Sequence, residues 1–132
     1  MCIFCDIVAG KIPCSLLYED ETVMAFLDIS QVTKGHTLVI PKKHVSNLLA
    51  CEREDYLHLM EVVQTLGNHI MDTLHCEGMN ILSNVCEVAG QSVPHFHVHL
   101  IPRYSEQDAC IIRFAESEPQ DLVALQHLLA YK

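Results

Sequence analysis

Three histidines, His95, His97 and His99, stand at alternate positions in the apolar segment 94–102. Because successive side chains of a β-strand point to opposite faces, this spacing predicts a strand with three imidazoles on one face and apolar side chains on the other. A rise of about 3.3 Å per residue places neighbouring histidines roughly 6.6 Å apart and the outer two roughly 13 Å apart. Zinc binds nitrogen at about 2.0–2.1 Å, so such a row suits one ion poorly and we expect the histidines to have separate roles.

The middle histidine, His97, is the candidate nucleophile. A neutral imidazole attacks phosphorus through one ring nitrogen, provided that a fixed acceptor holds the other nitrogen as N–H, and a strand offers backbone carbonyls for this. The preceding residues Gly90, Gln91 and Ser92 could hold phosphate oxygens through backbone N–H groups and a hydroxyl. His97 alone could be an exposed polar residue of a strand, and residues 90–92 alone could be an ordinary turn. The proximity of the two features in the sequence favours phosphate chemistry.

The elements that position these residues are predicted to form an α+β fold with a largely antiparallel sheet of about five strands. Strand-like runs occupy 16–19, 22–29, 35–41, 79–84 and 94–102, and a further short strand is indicated at 109–114. Residues 2–9 predict one turn of helix closed by Gly10. Apolar residues three and four apart predict one long helix from about 51 to 76. Residues 117–120 resemble a capping box that opens a C-terminal helix with leucines on one side.

Length and composition limit the possible classes of protein. The chain has 132 residues, half of them hydrophobic, which predicts a single globular domain spanning residues 1–132. A net charge of -9 argues against nucleic acid or an anionic membrane as the main partner. No signal peptide and no membrane-spanning run is visible, so a cytoplasmic location is expected. Seven cysteines are then expected to be thiols or metal ligands.

The histidine segment also carries a resemblance to a known family. His95-Phe96-His97-Val98-His99-Leu100-Ile101 matches the pattern His-X-His-X-His-X-X, with X apolar, and on this motif the chain resembles the histidine triad (HIT) family of nucleotide hydrolases and transferases. The similarity extends through 26–29, 35–44, Asn84 and 89–93, and so covers roughly residues 2–103. It implies a HIT-like fold.

The resemblance implies a role for each matching residue. His97 corresponds to the family's nucleophile toward the α-phosphorus, and His36, His99 and Ser92 complete the catalytic set. Family members bind the nucleotide through residues that correspond here to Phe26, Leu27, Asp28, Ile29, Asn84, Gly90, Gln91, Ser92, His97 and His99. Asp28 would accept hydrogen bonds from ribose hydroxyls, and the apolar residues beside it would enclose a purine. Family members are usually homodimers, and we expect one here.

The pair Cys2-x-x-Cys5 admits three interpretations: a redox pair, two inert thiols, or half of a metal site. Some bacterial members of the family that this chain resembles bind zinc at the positions that correspond to Cys2, Cys5, His44 and His95. Two thiolates and two imidazoles would form a closed tetrahedral site, which is structural because no coordination position stays open. The zinc prediction gives His95 a role distinct from catalysis.

The resulting hypothesis is an enzyme that cleaves a purine nucleoside phosphoramidate, a dinucleoside polyphosphate or a related adenylated compound. It would release a nucleoside monophosphate through a nucleotidyl intermediate on His97 and would need no metal in the chemical step. One alternative is a nucleotide-binding regulatory module with little or no turnover. Another is a metal-binding protein that uses the histidine row as ligands, which the spacing of the row disfavours.

Overall fold

Five antiparallel strands form one sheet in the computed structural model, which describes residues 2–131. The strands are β1 (Leu16–Glu19), β2 (Val23–Leu27), β3 (Thr37–Pro41), β4 (Gly78–Leu82) and β5 (Val98–Arg103). Their order across the sheet is β1-β2-β3-β5-β4, which makes β1 and β4 the edges. The predicted α+β class and antiparallel sheet are confirmed. The predicted domain boundaries, Met1 and Lys132, lie outside the described residues.

The long helix α2 (Arg53–Leu74) covers one face of the sheet. Its buried residues Leu59, Val63 and Leu66 recur at the spacing of one helix face and pack with strand residues such as Val39. The helix ends at His75, which adopts the left-handed conformation with φ 54°. Two further helices are described, α1 (Ile3–Val8) and α3 (Leu122–Leu129). Between residues 2 and 131, no helix is long and apolar enough to cross a membrane.

The short helix α1 packs on the opposite face of the sheet through Phe4. Phe4 of this helix is buried and packs with residues of β2 and β3, among them Met24, Phe26 and Ile40. The residues between the histidines, such as Phe96 and Val98, belong instead to the core under α2. The alternation of the histidine segment is therefore confirmed, with the imidazoles on the α1 side.

The histidine strand is shorter than predicted and begins at Val98 rather than at residue 94. Its pairing with β3 runs from Thr37 opposite Leu100 to Val39 opposite Val98, and it stops there. Pro41, at the end of β3, has no N–H to continue the ladder. The backbone N–H of Phe96 donates instead to the carbonyl of Val45 at 2.7 Å. His95 and His97 therefore lie in an extended segment that leads into β5.

The predicted strand at 109–114 and the predicted cap at 117–120 are wrong. Residues 109–114 form no strand, and the sheet consists of β1 to β5 alone within the described residues. The N-cap of α3 is Asp121, whose Oδ1 accepts a hydrogen bond from the backbone N–H of Ala124 at 3.1 Å. The leucines of α3 do not pack on the sheet, and Leu128 is 78% exposed.

Candidate functional site

His97 is held in the orientation that a nucleophile requires. Its ring lies on the α1 face and is almost fully buried, with 6% of the residue exposed. Nδ1 donates a hydrogen bond to the backbone carbonyl of His95 at 2.7 Å, which leaves the lone pair on Nε2. Burial lowers the pKa of His97, although the hydrogen bond to His95 and the charge of Asp28 act in the opposite direction. The ring is therefore neutral near pH 7, with Nε2 as its reactive atom.

His99 and His36 form a hydrogen-bonded pair beside His97. The His99 ring centroid lies 4.9 Å from that of His97, and His99 Nδ1 lies 2.9 Å from His36 Nε2. Because the backbone N–H of Val32 donates to His36 Nδ1 at 3.4 Å, we assign the His36 proton to Nε2, which donates to His99. This pairing leaves His99 Nε2 as an N–H donor that can bind a phosphate oxygen.

The pKa of His99 predicts a loss of stability in acid. Burial, followed by the proximity of His97 and His36, lowers this pKa from 6.5 to about 4. Between those values His99 binds more protons in the unfolded chain than in the folded one, so its contribution to the free energy of unfolding should fall by roughly 1–2 kcal/mol from pH 6.5 to pH 5. Urea unfolding of the wild type and of His99→Gln at both pH values measures this effect. An equally steep loss in His99→Gln would contradict it, because that variant lacks the titrating ring.

Asp28 is the first residue after β2 and stands next to the histidine pair. Its Oδ2 lies 3.6 Å from His36 Nε2, and its Oδ1 accepts a hydrogen bond from the Ser30 N–H at 2.8 Å. The side chain of Gln31 holds this loop, since its Nε2 donates to the carbonyls of Asp28 and His36 at 2.6 and 2.7 Å. Its Oε1 accepts from the N–H of Gly35 at 2.8 Å. Gln31 was not among the predicted site residues.

The three apolar residues predicted to enclose the base lie in different environments. Phe26 is on the histidine face, where its ring meets Phe4 edge-on with centroids 5.8 Å apart. Leu27 lies on the α2 face, in a groove with Leu66 and Ile70, because neighbouring strand residues point to opposite faces. Leu27 and Phe26 thus lie on opposite faces of the sheet, and the role of Leu27 at the base stays a prediction. Ile29 lies in the loop after β2 and is 98% exposed, so it is free to cover a ligand.

Gln91 shapes the loop that precedes the histidines. Its Oε1 accepts from the N–H of Cys86 at 2.8 Å, and its Nε2 donates to the carbonyls of Ser46 and Val93 at 2.6 and 3.0 Å. Both amide hydrogens are used inside the protein and the residue is buried. This geometry suits a residue that positions the loop, in contrast to the predicted direct contact with the nucleotide.

The remaining loop residues differ in backbone conformation and exposure. Gly90 has φ +101°, a conformation that favours glycine, and a Cβ atom there would crowd the Asn84 side chain, with Nδ2 at 3.1 Å. Ser92 is exposed, and Asn84 is half-buried. Cys86 has φ 72° and ψ 159°, a conformation that L-residues rarely adopt and that is typical of functional loops.

Two cysteines and two histidines converge at the start of α1. The potential ligand atoms of Cys2, Cys5, His44 and His95 all lie within 4.8 Å of one another. Cys2 Sγ lies 3.3 Å from His95 Nδ1, Cys5 Sγ lies 3.3 Å from His44 Nδ1, and the two Nδ1 atoms are 3.2 Å apart. With tetrahedral angles and bonds of about 2.3 Å to sulfur and about 2.0–2.1 Å to nitrogen, a zinc site has edges of about 3.6 Å (S–N) and about 3.3 Å (N–N). The four side chains fit such a site.

The ring of His95 is also oriented as a metal ligand would be. Its Nε2 donates to the carbonyl of Pro41 at 2.8 Å, so the lone pair belongs to Nδ1, the atom that faces the cysteines and His44. Histidine ligands commonly donate their second N–H in this way. The cluster could therefore hold a metal ion, and this geometry favours the ligand interpretation over a redox pair or two inert thiols.

Phe4 is a site residue that the sequence did not reveal. Its ring meets His95 and His97 edge-on, with centroids 5.7 and 5.1 Å away and interplanar angles of 79° and 82°. Phe4 lies between the two cysteines, whose metal-ligand spacing was the more visible signal. It therefore forms one wall beside the His97 ring.

Known proteins share this arrangement of sequence and fold. The HIT domain model matches residues 9–106. Protein hit from Bacillus subtilis is 52% identical over 107 residues, which are 81% of this chain and 74% of that protein. The crystal structure of a HIT family protein from Bacillus anthracis has a TM-score of 0.90 and 48% identity, and the match covers 96% of this chain and 91% of that one.

Two other relatives have names that state an enzymatic activity or a bound metal. The adenosine 5'-monophosphoramidase hnt1 of Schizosaccharomyces pombe is 40% identical over 106 residues, which are 80% of this chain and 77% of that protein. A zinc-bound histidine triad family protein from Mycobacterium smegmatis has a TM-score of 0.77 and 37% identity, with 87% of this chain and 84% of that one covered. The domain match, the identities and the shared fold agree, and the chain belongs to the HIT family.

Proposed function

We propose that this protein is a nucleotide hydrolase or transferase that acts at the α-phosphate of a purine nucleotide. Its substrate class is a nucleoside phosphoramidate, a dinucleoside polyphosphate or a related adenylated compound. The observation that carries the proposal is the 2.7 Å hydrogen bond from His97 Nδ1 to the His95 carbonyl, which leaves Nε2 free for attack. The monophosphoramidase relative supports an adenosine nucleotide.

The chemical step follows from the proton positions in the site. His97 Nε2 forms a bond to the α-phosphorus while the bond from phosphorus to the leaving nitrogen or oxygen breaks, and the leaving atom takes a proton through the Ser92 hydroxyl or from water. His99 Nε2–H donates to a phosphate oxygen as negative charge develops. Water then attacks phosphorus, the P–N bond to His97 breaks, and a nucleoside monophosphate leaves. Each bond change uses protein groups and water alone, so we propose that no metal takes part.

Asp28 is proposed to bind the ribose hydroxyls, which predicts a specific loss of affinity. Asp28→Asn removes the charge that strengthens these hydrogen bonds, and AMP should bind roughly 10–100-fold more weakly. Because 2'-deoxy-AMP lacks one of the hydroxyls, the substitution should weaken its binding less. Calorimetry with both ligands measures the difference. An equal loss for the two nucleotides would contradict the ribose assignment and would point to the His36 contact of Asp28 instead.

A panel of leaving groups tests the proposed activity. Purified protein is incubated with an adenosine phosphoramidate, a dinucleoside polyphosphate and an aminoacyl adenylate, and release of AMP is measured. We expect catalysed release from at least one of them. Binding of AMP without turnover of any of these compounds would contradict the proposal that the protein is an enzyme. It would favour a nucleotide-binding regulatory module.

We propose that the ion in the cluster of Cys2, Cys5, His44 and His95 is a structural Zn2+. Four protein ligands leave no open position for substrate, and thiolate with imidazole is a donor set that zinc prefers. The zinc-bound relative from Mycobacterium smegmatis supports this choice of metal. When bound, zinc would supply cross-linking of α1 to the sheet and no chemistry on the substrate.

The proposal also includes the domain organisation, cellular location and oligomeric state of the protein. We propose one HIT domain over residues 1–132, a cytoplasmic location and a homodimer with a small-molecule purine nucleotide as substrate. Free cysteines at all seven positions are consistent with a reducing compartment. The edge strand β4 and the adjacent side of α2 leave Ile81 and Leu57 exposed, which is consistent with a second subunit there.

A further inference from the structure

His95 connects the metal cluster to the nucleophile through its own backbone. It is completely buried, and its ring has one nitrogen in the metal cluster and the other on the Pro41 carbonyl. Its main-chain carbonyl is the acceptor for His97 Nδ1 at 2.7 Å. Any rotation of the His95 ring out of the cluster would therefore move the backbone group that sets the proton position of His97.

A second connection runs through α1. This helix has six residues, too few to be stable alone, and its first turn is capped by Cys2 Sγ, which accepts from the Cys5 N–H at 3.4 Å. The helix places Phe4 against both His95 and His97. A metal ion that fixes Cys2 and Cys5 to the sheet would therefore also fix the Phe4 ring beside His97.

The nucleotide-binding side of the site is positioned without the cluster. Asp28 and His36 are held by Gln31 and by backbone hydrogen bonds of their own loop. His99 is held by its hydrogen bond to His36 and by pairing opposite Leu38. These contacts do not pass through Cys2, Cys5 or His44.

We propose that Cys2, Cys5 and His44 are positioning residues for His97, so that metal occupancy of their cluster sets the rate of the chemical step. The metal acts through the His95 carbonyl and Phe4 and leaves nucleotide affinity nearly unchanged. This inference rests on the proposed function, because it takes His97 to be the nucleophile.

The experiment compares zinc-loaded, chelator-stripped and zinc-reloaded wild type, together with Cys5→Ser. Cys51→Ala is the control, because Cys51 is also half-buried but packs against the α2 core, away from the cluster. For each sample we measure zinc per chain, kcat for an adenosine phosphoramidate, the Kd of AMP, and the imidazole nitrogen signals of His97 by NMR. All measurements are made below the unfolding temperature of the stripped protein.

Stripped wild type and Cys5→Ser should contain little zinc and show a kcat lower by about 10–100-fold, the usual cost of losing support around a metal ligand. The Kd of AMP should change by less than about threefold, which corresponds to under about 1 kcal/mol. The His97 signals should lose the pattern of a fixed Nδ1–H tautomer, and reloading should restore both kcat and the signals. Cys51→Ala should match the wild type.

Three results would overturn the inference. The first is a protein that takes up no zinc, the second is full kcat with unchanged His97 signals after zinc removal, and the third is a parallel loss of kcat and AMP affinity. The third result is the signature of general unfolding. Failure of the proposed function looks different: zinc-loaded wild type would then bind AMP without turning over the phosphoramidate, or His97→Ala would keep the wild-type turnover whatever the zinc content.

Discussion

His97→Ala is expected to lower kcat by at least about a thousandfold, since a covalent route disappears with its nucleophile. The loss arises from the missing Nε2 atom, because the remaining groups stabilise phosphate charge but cannot form the bond. AMP should still bind, since Asp28, His36 and His99 are held by contacts that do not involve the His97 ring. Steady-state kinetics and AMP calorimetry on the same preparation separate the two effects.

His97→Asn provides the matched structural control. Its amide can still donate to the His95 carbonyl, which accepts the His97 Nδ1 proton in the wild type, but it supplies no nucleophilic nitrogen. Both variants should therefore be equally inactive. His127→Ala, which changes an exposed histidine of α3, should retain full activity. Turnover within tenfold of the wild type in His97→Ala would exclude the covalent mechanism.

Removal of zinc is expected to lower the Tm of the protein by roughly 10–20 °C. A ligand present at about a thousand times its Kd stabilises the folded state by about 4 kcal/mol, and in a chain of this size each kcal/mol corresponds to roughly 3–5 °C. The physical reason is that the cluster joins the short α1 to the sheet across distant parts of the sequence. Thermal unfolding with zinc, and with a chelator, measures the difference.

Cys5→Ser and Cys51→Ala distinguish a specific site from general zinc effects. The zinc-dependent rise in Tm should be lost in Cys5→Ser, which removes one ligand, and kept in Cys51→Ala. If zinc raises the Tm of the wild type, Cys5→Ser and Cys51→Ala equally, or of none of them, the proposal of a structural zinc site is wrong. This test does not use activity, so it is independent of the proposed chemistry.

The parts of the fold that depend on local periodicity could be predicted from the sequence. Alternation in the histidine segment identified which face each side chain occupies, and the spacing of residues such as Leu59 and Leu66 identified α2. The end of the pairing at Pro41 follows from the missing proline N–H, but recognising it requires knowing that β3 is the partner of the histidine strand. Pairing partners are a tertiary property that one sequence does not contain.

The placement of other site residues also depends on the tertiary fold. Leu27 was grouped with Phe26 by adjacency, although neighbouring strand residues face opposite sides of the sheet. Gln31 and Gln91 each hold a loop through three backbone hydrogen bonds, and nothing in the sequence distinguishes such a glutamine from an exposed one. Phe4 could have been predicted as a site residue, because it lies between Cys2 and Cys5. If both cysteines bind a metal together with His95, the apolar residue between them must lie close to the histidines.

The apolar C-terminal segment shows the limit of periodicity as a signal. Residues 109–114 and α3 contain strand-like and helix-like patterns, yet α3 has no buried residue and Phe114 is 93% exposed. Periodicity shows that a segment can present an apolar face, but burial depends on whether another surface lies against it. The sequence could not show that this surface is missing within the described chain.

Detection of a covalent intermediate is the decisive test of His97 as the nucleophile. Protein mixed with excess adenosine phosphoramidate is quenched in acid-free conditions at early times, analysed as intact protein by mass spectrometry, and digested to locate the modified residue. We expect a fraction of the chains to be heavier by one adenylyl group, attached to His97, and no such adduct in His97→Asn. Turnover of the substrate with no adduct at any time, or an adduct on another residue, would contradict it.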